Sequence, residues 1–96
     1  MLAVLKFGGS SVADTKKIQT IATYLKERTA KGEKLIVVVS AMGKTTDALL
    51  SMAQNLSNSP NKRELDQLLA VGEQTTIALL AISLNQLGVK SQSFTG

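Results

Sequence analysis

The sequence predicts an α/β fold built on a parallel sheet. Two short aliphatic runs, residues 2–7 and 35–39, have the length and composition of buried strands. Amphipathic segments of helix length separate and follow them. Glycines stand where helices should stop. The order reads β-α-β-α-α-β, and strands separated by helices imply parallel pairing through right-handed crossovers.

Residues 2–7 form the first expected strand, interrupted only by Lys6. It breaks into Gly8, Gly9, Ser10 and Ser11. Ser11-Val12-Ala13-Asp14 is a loose capping pattern, a hydroxyl followed three residues later by an acid. The helix it opens should run to about Lys31, with Ile18, Ile21, Ala22 and Leu25 on one stripe and Gly32 as its stop. Leu35-Ile36-Val37-Val38-Val39 has the pattern of a central strand buried on both faces. A polar loop from Ser40 to Asp47 follows, and a second helix should begin near Thr46, carrying Leu49, Leu50, Ala53 and Leu56. Asn58-Ser59-Pro60-Asn61 reads as a loop. From about Lys62 to Leu87 the pattern is helical, with Gly72 predicting a break or bend between two apolar stripes. Gly88 stops that helix, and Val89 to Phe94 reads as a third strand.

The 96 residues fit one small domain or part of a larger one, and 44% apolar against 19% charged residues argues against disorder. Aromatic content is 3%, so the core must be aliphatic. The net charge of +4 is scattered, and only Phe7, Tyr24 and Phe94 could stack on bases. No nucleic-acid partner is expected. Without Cys or His the chain has no disulfide frame, thiolate nucleophile, histidine acid–base pair or ordinary zinc site, so no metal ligands are assigned. This composition suits a reducing cytoplasm. The N-terminal apolar run is too short for a signal peptide, and no apolar stretch reads as long enough to span a bilayer. A membrane is therefore not an expected partner.

Ligands of parallel sheets bind at the carboxyl ends of the strands, where residues 8–11 and 40–47 both fall. The Gly8-Gly9-Ser10-Ser11 segment is either a plain turn or an oxyanion grip that uses backbone N–H groups at a helix start. Lys6 either faces solvent at a sheet edge or supplies charge to that grip. Gly43-Lys44-Thr45 fails the P-loop pattern, because the position that needs the first glycine is Val38. Ser40, Thr45 and Thr46 offer hydroxyls for helix capping or for a ligand. Glu73 is the sole charge between Gln67 and Val89, and is either solvated or aimed at a polar ligand.

Taken together, Lys6-Phe7-Gly8-Gly9-Ser10-Ser11, Val38-Val39-Ser40-Ala41-Met42-Gly43-Lys44-Thr45-Thr46-Asp47, Gly72-Glu73-Gln74 and Gln92-Ser93-Phe94-Thr95-Gly96 resemble aspartate kinases, of the amino-acid-kinase superfamily. The resemblance runs the length of the chain, in order and spacing. It implies a three-layer α/β/α fold with a mostly parallel, carbamate-kinase-like sheet. Residues 1–96 would be the N-terminal part of that catalytic domain, without regulatory ACT domains. It further implies ATP- and Mg²⁺-dependent phosphorylation of the L-aspartate side-chain carboxylate to β-aspartyl phosphate. That reaction is the first step toward lysine, threonine and methionine, in the cytoplasm.

By the same resemblance, Lys6 neutralises charge on the transferring phosphoryl group and is the catalytic residue. Lys6, Phe7, Gly8, Gly9 and Ser10 line the ATP phosphates. Ser40, Ala41, Thr45 and Thr46 form the aspartate loop, and Glu73 meets the substrate amino group. A carboxylate is already a nucleophile, so a site without His or Cys suits the reaction. The fragment alone is expected to be inactive, and to self-associate or form homo-oligomers through its cut sheet edges. An acetylglutamate or glutamate kinase would suit the Lys-Gly-Gly opening too, although the Ser40–Thr46 loop argues for aspartate, and a non-catalytic binding domain would suit the short chain.

Overall fold

The computed structural model describes residues 2–93. Five elements follow in order: β1 (Leu2–Phe7), α1 (Thr15–Ala30), β2 (Lys34–Val39), α2 (Gly43–Leu56) and α3 (Lys62–Gln86). β1 and β2 pair in parallel, from Leu2 opposite Lys34 to Phe7 opposite Val39. A parallel pair needs a long crossover, which α1 supplies.

The start of α1 differs from the expected cap. Asp14, in extended conformation, is the N-cap, and its carboxylate accepts from the Lys17 N–H at 2.9 Å. Ser11 instead donates its N–H to the Gly8 carbonyl at 3.0 Å and belongs to the preceding turn. The other end is clipped. Gly32 takes φ 89°, where a β-carbon would be strained, and turns the chain into β2. Arg28 then grips Glu33 through two hydrogen bonds of 2.8 and 2.6 Å, and its guanidinium lies 5.7 Å from the Tyr24 ring centre.

Val12, Ile18, Ile21, Ala22, Leu25, Val39, Leu80 and Leu84 form the core. Leu5, Phe7, Leu35 and Val37 pack onto it from a single face of the sheet. β2 was expected to be buried on both faces, and it is not. Its other face carries Ile36 at 51% and Val38 at 46% exposure, beside Leu2 and Val4 of β1. The packed helices α1 and α3 lie on the same side, and no helix among the described residues covers the other.

Two further expectations change. α3 runs unbroken through Gly72, so that glycine is not a helix break. Its buried flank lies against the loop after β2, where space and not flexibility is the constraint. Val89–Ser93 is not a strand; its Phe94 end lies outside the described residues. Val89 donates its N–H to the Leu84 carbonyl at 3.0 Å, and the Ser91 hydroxyl bonds the Ala81 carbonyl and Asn85 Oδ1 at 3.3 and 3.0 Å. The segment is thereby tied to the end of α3. An apolar groove of about 670 Å³ is lined by both this segment and Lys34–Val38.

α3 is also long and apolar enough, with a mean hydropathy of 1.4, to cross a bilayer, contrary to the sequence expectation. Its Gly72, Thr76, Leu80 and Leu84 stripe is buried against the rest of the chain, while 22% of the apolar window as a whole is buried.

Candidate functional site at the strand tips

Three segments converge at the carboxyl end of the sheet. The Ser40 N–H donates to the Phe7 carbonyl at 3.1 Å, one step beyond the last rung, and holds the two strand tips side by side. Past that bond the turns touch. A β-carbon at Gly9 would lie 3.3 Å from the Ala41 carbonyl oxygen and 3.9 Å from the Gly43 nitrogen. The third wall is α3. A β-carbon at Gly72 would lie 3.0 Å from Ala41 Cβ, 3.7 Å from Leu49 Cδ1 and 4.0 Å from Thr45 Cγ2. Glycine at both positions is what allows the Ala41 segment to approach so closely.

Among the expected site residues, Phe7, Gly9, Ser40, Ala41 and Thr45 meet here directly. Gly8 and Ser10 occupy the exposed side of the first turn. Lys6 is exposed on the outer sheet face opposite Val38, one residue before the tip. Its charge is therefore not buried, which settles the solvation question the sequence raised. Thr46 is half-buried in the first turn of α2, where its N–H donates to the Met42 carbonyl at 3.0 Å. Glu73 is exposed and follows Gly72 on α3.

α2 begins at Gly43, earlier than expected. Its N-cap is Met42, so none of Ser40, Thr45 or Thr46 caps it. The amides of that first turn receive no side-chain acceptor from the cap residue. Val38 lies inside β2, so a P-loop nest is excluded.

The sequence reading missed Lys17. Its ammonium donates to the Ser10 carbonyl at 3.0 Å and ties the glycine turn to α1. The available signal was two lysines in the first turns of a helix, where positive charge opposes the dipole unless it has another partner. The corner as a whole offers backbone N–H groups, hydroxyls and a nearby lysine, the donors that bind oxyanions.

The family model for the amino acid kinase family matches residues 1–96, and the chain belongs to that family. Among curated relatives it is 53% identical over 95 residues to an aspartokinase of Geobacillus stearothermophilus and 50% identical to Aspartokinase 2 of Bacillus subtilis. Each alignment takes in 99% of this chain but 23% of the relative, so the chain spans about a quarter of their length. A solved aspartate kinase from Synechocystis superposes with a TM-score of 0.86 at 48% identity, over 91% of this chain and 15% of that one. The α/β arrangement described above is thus part of an amino-acid-kinase fold.

Proposed function

We propose that residues 1–96 form the phosphate-gripping and acceptor-binding corner of an ATP-dependent kinase that phosphorylates the side-chain carboxylate of L-aspartate. The closeness of Gly9 to the Ala41–Gly43 loop supports this reading, because it brings together the turn read as the phosphate grip and the loop read as the acceptor site. The names of the aspartokinase relatives support L-aspartate as the acceptor. The reaction would be the first step of lysine, threonine and methionine synthesis in the cytoplasm. Self-association belongs to the same proposal, and the bare sheet face of Leu2, Val4, Ile36 and Val38 supports it.

In this mechanism the amides of Gly8, Gly9 and Ser10, together with Phe7, cradle the nucleotide phosphates. Lys6 balances charge on the phosphoryl group in flight. Ser40, Ala41, Thr45 and Thr46 seat the acceptor carboxylate, and Glu73 takes its ammonium group. Among the described residues no three acidic side chains converge on a metal position. Mg²⁺ would accompany the nucleotide and lend its charge to the phosphates.

A chimaera tests this reading. The chain replaces the matching quarter of the Geobacillus stearothermophilus aspartokinase, and ADP release is followed with L-aspartate, glutamate and N-acetylglutamate. Turnover should require L-aspartate, and Lys6→Met should lower it by about 10²–10³-fold. A folded chimaera that used glutamate or N-acetylglutamate instead would overturn the reading. The isolated 96 residues should show no turnover.

A further inference from the structure

We propose that Gly72 is a positioning residue for both loops, with Ala41 passing its effect on to the glycine turn. For its kinetic readout this rests on the function proposed above; its structural readout does not. Ala41 stands between two glycines. Its β-carbon faces Gly72 and its carbonyl oxygen faces Gly9, at spacings that admit no methyl group without a shift of the neighbour. Ala41 is linked to the glycine turn, since the preceding Ser40 donates its N–H to the Phe7 carbonyl just before that turn. A side chain at position 72 therefore displaces a residue already in contact with Gly9.

Helix chemistry sharpens the argument. Alanine is preferred to glycine inside a helix, and Gly72 lies within an uninterrupted 25-residue one. On helix grounds alone Gly72→Ala is favourable, so a defect in that variant has to come from the Ala41 contact. Removing the Ala41 methyl group should then cure it. A merely structural glycine would show no such cure.

The test uses the 96-residue chain, labelled with ¹⁵N, and the chimaera. Gly72→Ala should move the Gly9 and Ser10 amide resonances, and Gly72→Ala/Ala41→Gly should bring them back. In the chimaera Gly72→Ala should raise KM for ATP and for L-aspartate together, each by about tenfold, and the double variant should restore both. An unmoved Gly9 amide, a rise in the L-aspartate KM alone, or a double variant as impaired as the single one would overturn the proposal. If Gly72→Ala does not fold, the double variant decides, since removing the Ala41 methyl group should restore a folded chain. A double variant that also fails to fold would count against the relay. A chimaera without turnover would sink the kinase reading, while the resonances would still decide this one.

Discussion

α1 and α2 both leave the carboxyl end of a strand, yet the chain holds them by different means. α1 buries Ile18, Ile21, Ala22 and Leu25, is capped by Asp14, and is clipped by Arg28 and Glu33. α2 buries no residue, has no side-chain cap, and carries no charge in its first or last turn to suit the dipole. It packs chiefly against α3, where Gly72 meets Thr45 and Leu49. The scaffold is thus concentrated behind the glycine turn, while the loop after β2 opens onto a helix that packs on α3 without burying any residue fully. Elements that bind and release ligands are commonly drawn from the less stable end of a fold.

The widest test of that contrast is core truncation. Leu25 is 1% exposed, so Leu25→Ala should cost about 2–5 kcal/mol in urea unfolding. Leu56, at the end of α2, is 88% exposed, and Leu56→Ala should change stability by no more than about 0.5 kcal/mol. Equal losses would erase the distinction between the helices. Next in size is the cap. Asp14→Ala removes the acceptor for the Lys17 N–H and should cost about 0.5–2 kcal/mol, read in the same melts.

The smallest effect concerns the α1–β2 clip. The hydrogen bonds from Arg28 hold the Glu33 carboxyl below its ordinary range, and the same bonds raise the guanidinium further above its own. A carboxyl lowered in the folded state stabilises fully above its unfolded range, and the benefit is lost as pH falls through the folded value. Wild type should therefore exceed Glu33→Gln modestly at neutral pH, and the two unfolding curves should merge in acid. A gap that persisted at low pH would mean the clip acts through packing and not charge.

The parts of the fold legible in the sequence are those set by near neighbours. The first two strand runs, the α1 stripe, the glycine stops at Gly32 and Gly88 and the Asn58–Asn61 loop emerge as read. The same holds for the meeting of the two strand tips, which follows from parallel pairing. What failed depends on distant partners. Gly72 looked like a helix breaker because its neighbour, Ala41, lies far away in sequence. Val89–Ser93 has a strand's composition, but a strand exists only by pairing, and the segment is bound to α3 instead. β2's unbroken aliphatic run shows what it could bury, not what lies over it. Lys17 escaped notice because its role is a single bond to a backbone carbonyl, which leaves little mark on residue choice.

The parallel register has a kinetic side. Every rung of the ladder, Leu2 with Lys34 through Phe7 with Val39, joins residues a whole helix apart along the chain. No tight turn can seed such a pairing, and the entropy of closing that span is spent before the first rung forms. Winding of α1 shortens the span, and the bend at Gly32 delivers β2 alongside β1. Pairing at the strand tips should accordingly follow the winding of α1.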